Sequence, residues 1–150
     1  MLDQMQAALE AGASRVVIGA LTQEGNLDVE WIRECAAAVG SHRLVIHRAL
    51  DAAVDWEAAV RSLMEGGICH VLTSGGEAVA WEGRERITSL MQHGFQVTVG
   101  SGVRANQRSA WMELEVRSFH ASCRHTIERP TRLFDGVTHP VSAEAVRSWF

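Results

Sequence analysis

Apolar residues along this chain fall into two alternating patterns, short continuous runs that suit buried strands and longer stretches with helical spacing. Residues 2–11 read as a helix, closed by Gly12 where a left-handed residue is wanted. The run Val16-Val17-Ile18-Gly19-Ala20-Leu21 follows as a strand, and residues 22–26 form a polar turn. A second helix is predicted over 28–39, with Val29, Ile32, Ala36 and Val39 near one face, Asp28 as its cap and Gly40 as its stop. The cycle then repeats. A strand at 44–47 leads to a helix at 55–65, stopped by Gly66-Gly67, and a strand at 70–73 leads to a helix at 83–92, stopped by Gly94. A strand at 96–99, a weaker helix at 105–114 and a fifth strand at 116–120 complete the pattern.

Strands that start near residues 16, 44, 70, 96 and 117 recur every 21–28 residues. Alternation at this pitch implies a parallel sheet, because a right-handed crossover through a helix returns the next strand in the same direction. An open doubly wound sheet and a partial (β/α)8 barrel of the TIM type both satisfy it. No G-x-G-x-x-G fingerprint follows Ile18, although some open sheets lack that motif too. The unusual polar and glycine residues follow the ends of strands, on the rim where both architectures place their active sites.

Composition narrows the class of protein. At 150 residues, 47% hydrophobic and 21% charged, the chain has the length and make-up of one folded domain over 1–150. Its fourteen basic residues are all arginine, against eighteen acidic ones, and the formal charge of -4 disfavours nucleic acid and anionic membrane as partners. With no lysine, Schiff-base chemistry and a Walker-type phosphate lysine are excluded. Cys35, Cys69 and Cys123 are too few and too widely spaced for a disulfide framework, which fits a reducing cytoplasm. The first residues carry acidic groups and no basic stretch, and no apolar run reaches the roughly 20 residues of a membrane span, so neither secretion nor membrane insertion is expected.

The most distinctive stretch is His47-Arg48-Ala49-Leu50-Asp51, after an apolar strand. Side chains alternate along a strand, so His47 and Arg48 cannot both face the barrel interior. One reading makes one of them a ligand or anion contact oriented by Asp51; the other makes Arg48 and Asp51 an internal ion pair that stiffens the loop. Thr73-Ser74-Gly75-Gly76 and Gly100-Ser101-Gly102 are short glycine loops at strand ends. Their backbone N–H groups and hydroxyls can hold a phosphate or carboxylate, while tight strand-to-helix turns need the same glycines. No constellation supports a catalytic mechanism, Glu24 and Asp51 being the only acids near the rim worth testing. The five tryptophans fall mostly in helices and suit packing.

With these residues in view, the sequence resembles the copper homeostasis protein CutC family, a (β/α)8 barrel. The resemblance rests on Val17-Ile18-Gly19-Ala20-Leu21-Thr22 with Gly25, Ile46-His47-Arg48-Ala49-Leu50-Asp51, Leu72-Thr73-Ser74-Gly75-Gly76, Gly100-Ser101-Gly102-Val103 and Phe119-His120-Ala121-Ser122, in register over residues 1–122. It implies that the five strands correspond to the family's fourth to eighth, that the first three strand units have no counterpart in this chain, and that residues 123–150 form a divergent tail. Gly100-Ser101-Gly102 then takes the position of the common barrel phosphate site.

The resemblance implies copper handling through Cu(I), which prefers thiolate, thioether and imidazole ligands. The donors available are His120 and Cys123, with His125 or His47 as further candidates. The competing expectation is a barrel enzyme or binding protein for a small phosphorylated or anionic metabolite, using the glycine loops with Arg48. A third is a truncated product with no activity of its own. Five parallel strands cannot close a barrel, so the chain is expected to self-associate, to borrow strands from another polypeptide, or to be unstable.

Overall fold

A computed structural model describes residues 1–124 and 141–150. The elements run α1 (Leu2–Glu10), β1 (Val16–Ile18), α2 (Val29–Val39), β2 (Leu44–Ile46), α3 (Trp56–Glu65), β3 (His70–Thr73), α4 (Arg84–Gln92), β4 (Gln96–Gly100), α5 (Arg108–Glu113), β5 (Ser118–His120) and α6 (Ala143–Arg147). Local chemistry sets their limits. Asp28 and Asp55 accept hydrogen bonds from the Trp31 and Ala58 N–H groups at the starts of α2 and α3. At the end of α3 the Gly67 and Ile68 N–H groups fold back onto Met64 and Leu63, with Gly67 at φ +66°.

The five strands form one parallel sheet in the order β1-β2-β3-β4-β5. A doubly wound sheet reverses its strand order part-way and carries helices on both faces. Here the order never reverses, and burial alternates along the strands. Val16, Ile18, Leu44, Ile46, Val71, Thr73, Val97 and Val99 are buried, and the apolar ones share a core with Met5, Ile32, Leu63, Ile87, Leu90 and Trp111 of the helices. The intervening Val17, Val45, Leu72, Thr98 and Ser118 lie on the other face and remain partly or well exposed, Val17 at 58%. One covered face and one bare face make the sheet an arc of a (β/α) barrel, the partial-barrel alternative.

Three boundaries depart from the sequence reading. The predicted strand over 16–21 ends at Ile18, because the chain turns away and Leu21 bridges antiparallel to Leu27. Gly19 marks the departure: a Cβ there would lie 2.6 Å from the His47 ring. The helix predicted over 105–114 is a 3-10 turn, Ala105–Gln107, followed by α5. The last strand begins at Ser118 rather than 116, because the Val116 N–H is still bonded to the Trp111 carbonyl across a left-handed Glu115.

Candidate functional site on the barrel rim

Beyond the strand ends, the residues singled out in the sequence form two unlike groups. The first centres on Asp51. Its carboxylate accepts hydrogen bonds from the Ser74 N–H at 2.9 Å, the Gly76 N–H at 3.1 Å, Arg48 Nε at 2.9 Å and the Thr73 hydroxyl, and the Ser74 hydroxyl lies 2.9 Å away. A carboxylate has about four acceptor positions, so this one is saturated. Burial pushes the Asp51 pKa up, but the hydrogen bonds from Thr73, Arg48 and Ser74 outweigh it and hold the group below its ordinary value. Thus Thr73-Ser74-Gly75-Gly76 does bind an anion, and the anion is the protein's own Asp51. Its remaining inner donor, the Gly75 N–H, bonds to Thr73 Oγ1 at 2.8 Å.

Gly75 and Gly76 have left-handed φ values of +72° and +81°. A Cβ on Gly75 would collide with the Gly83 carbonyl just before α4, and one on Gly76 would meet the Arg86 guanidinium, which packs over Trp56. This loop is therefore clamped from both sides. His47 and Arg48 diverge, as alternation requires. His47 lies against Gly19 and its Nδ1 accepts the Ala49 N–H at 3.0 Å. Arg48 pairs with Asp51 and donates to Ser74 Oγ at 3.1 Å, and 47% of its side chain is still exposed. The stiffening ion pair is present, and the same arginine also reaches solvent in the neighbouring cleft.

That cleft holds the second group. It has a volume of about 730 Å³ beside the C-terminal ends of β3, β4 and β5, and Arg48, Gly100, Ser101, Gly102, His120 and Cys123 line it. Ser101 is held at φ +81°, a conformation disfavoured for any residue with a Cβ. Its hydroxyl donates to the Ala78 carbonyl at 2.7 Å and its own carbonyl accepts the Ala80 N–H at 3.0 Å, which fixes the loop to the segment before α4.

Of the soft donors, His120 and Cys123 line this cleft together, whereas His47 lines a separate small cavity with Trp31 and Ile32. His125 lies outside the described residues. Among the described residues no group of three or more His, Cys, Asp or Glu is arranged to hold a metal ion. Cys35 is fully buried, and burial pushes its thiol up to about 11, as suits an unreactive core residue. Glu24 is exposed on the turn after β1.

Sequence reasoning missed Arg104, Asn106, Arg124 and Trp149, which also line the cleft. Arg104 had a signal, since it stands two residues beyond Gly102 at a strand-to-helix turn. Trp149 had none, because its place beside Phe119, ring centroids 5.3 Å apart, depends on the return of the C-terminal segment.

Strands in sequential parallel order and helices on one face define a protein of the (β/α)-barrel class, with a polar cleft on the rim where such folds carry their sites. The CutC family model matches residues 1–125. Relatives described as family protein CutC are 33% identical over 134 residues in Salmonella agona and 32% in Salmonella typhi, covering 88% of this chain in each case. The matches take in 54% and 52% of those proteins. A solved structure described as that of a candidate copper homeostasis protein CutC, from Streptococcus agalactiae, superposes with a TM-score of 0.69 at 24% identity, over 79% of this chain and 60% of that one. The chain belongs to the CutC family, and it spans about half the length of the curated relatives it matches. No helix among the described residues is long and apolar enough to cross a membrane.

Proposed function

We propose that this chain serves copper homeostasis by binding Cu(I) at the barrel rim through His120 and Cys123. The observation that carries the reading is that both soft donors line one cleft at the C-terminal ends of the strands. Cu(I) is suited by thiolate and imidazole ligands and, unlike a structural zinc ion, does not need four of them. The description of the Streptococcus agalactiae protein points the same way. Cys123 is a free, partly exposed thiol, and a reducing cytoplasm would keep it so.

The test is titration of the purified chain with Cu(I) against a competing chelator, beside a variant carrying Cys123→Ser and His120→Ala. Affinity that falls by at least about a hundredfold in the variant supports the site, as loss of both soft ligands requires. Equal affinity in the two proteins removes it.

A further inference from the structure

The two glycine loops of the rim look alike in sequence, yet they meet different charges in the fold. The loop after β3 is filled by the Asp51 carboxylate, which takes up its Ser74 and Gly76 N–H groups. The loop after β4 has no such tenant. Among the described residues, the N–H groups of Gly102 and Val103 have no protein acceptor, and the cleft these residues line contains no Asp or Glu. It contains Arg48, Arg104 and Arg124. Arg48 is already paired with Asp51, but the guanidiniums of Arg104 and Arg124 have no carboxylate partner among the described residues, and in a chain whose formal charge is -4 they concentrate positive potential where the protein as a whole is negative.

We infer that the cleft beside Gly100-Ser101-Gly102 is a binding site for the phosphoryl group of a small phosphate ester. The Asp51 arrangement one strand earlier is a worked instance of the recognition: backbone N–H groups of a glycine loop, a hydroxyl and the Arg48 guanidinium converge on a pair of anionic oxygens. The open loop offers the same kinds of donor: the Gly102 and Val103 N–H groups, the Ser122 hydroxyl in place of the committed Ser101 one, and the guanidiniums of Arg104 and Arg124 in place of that of Arg48. A phosphoryl dianion carries more charge and more acceptor oxygens than a carboxylate, and arginine matches it in bidentate fashion. The volume, about 730 Å³, leaves room for an organic portion beside Leu72, Val103 and Trp149. This site uses donors other than the Cu(I) ligands and stands whether or not copper binds.

The test is calorimetric titration of the full chain in metal-free buffer at low salt with glycerol 3-phosphate, inorganic phosphate and glycerol. Both phosphates are expected to bind and glycerol is not, and affinity should fall when salt is raised, as for any site held by ionic contacts. Tighter binding of the ester assigns the site to phosphate esters; equal binding assigns it to the free anion. Arg104→Gln should weaken the phosphates about tenfold or more, in line with loss of a charge-assisted hydrogen bond. Arg124→Gln gives the same reading from the tail side of the cleft. Absence of binding by both phosphates, or unchanged affinity in both variants, overturns the proposal. Because no copper is present, neither outcome bears on the Cu(I) site.

Discussion

The carboxylate of Asp51 and the backbone N–H of Gly76 meet at 3.1 Å, across 25 residues of sequence, and this contact sews the loop after β2 to the loop after β3. Four other donor groups approach the same carboxylate, whose side chain is only 5% exposed. Removing it strands buried donors. Asp51→Ala is therefore expected to destabilise the chain by about 3 kcal/mol, the scale for losing a charged partner from a satisfied network. Chemical denaturation of the two proteins measures it, and a loss below about 1 kcal/mol would mean that water replaces the carboxylate without strain.

The same network sets a pH dependence. The Asp51 pKa is lower in the folded chain than in the unfolded one, so the unfolded state binds more protons and stability rises with pH in that window. Its contribution is complete above the ordinary aspartate value of 3.8 and disappears as pH falls through the lowered native value. Denaturation midpoints followed from pH 6 downwards should drop more steeply for the wild-type chain than for Asp51→Asn.

His70 acts in a higher window. Burial first, then the nearby Arg15 and His42, lower its pKa below 6.5 and favour the neutral ring. Its share of stability is present above 6.5 and is lost as pH falls through the lowered native value. Melting temperatures between pH 8 and pH 5 should therefore fall, and His70→Gln should flatten the slope. Equal slopes would place the effect in other groups.

Gly75→Ala tests the clamp on the first loop. The new Cβ would meet both an unfavourable φ of +72° and the Gly83 carbonyl, which is backbone and cannot rotate aside. A loss of about 3 kcal/mol or more is expected, or failure to fold. Gly94→Ala is the control: its φ is similar at +87° but nothing lies within 4 Å of the added atom, so it should cost about 1–2 kcal/mol.

How much of this was legible follows the range of the interactions. Helix stops at Gly40, Gly67 and Gly94 and caps at Asp28 and Asp55 act within a few residues, and the sequence reading located each helix they bound to within a residue. The end of β1 was missed because it depends on the antiparallel Leu21–Leu27 bridge and on the close approach of Gly19 to the His47 ring, which follows β2. The Arg48–Asp51 pair, at a separation of three, was foreseen as one of two readings, but the capture of Ser74 and Gly76 by Asp51 was not. That fact separates the two glycine loops, and no local pattern encodes it.

Association is the remaining expectation. The sheet bares one face, with Val17 at 58% exposure, and β1 and β5 each have only one neighbour among the described strands. Unpaired edges beside apolar surface favour strand addition. Light scattering of the 150-residue chain is expected to report a dimer or larger species, and a monodisperse monomer with a cooperative melt would show that the bare face tolerates water.

That face is not uniform. Across the sheet its half-buried and exposed positions run Val17, Val45, Leu72, then Thr98 and Ser118, whose hydroxyls already bond to each other at 2.9 Å. Any polypeptide closing the arc would shed water readily over the first three strands and retain it over the last two. The rim cleft opens on that wetter flank, so its floor would stay hydrated in a closed assembly, an environment that welcomes an ionic guest and discriminates against a greasy one.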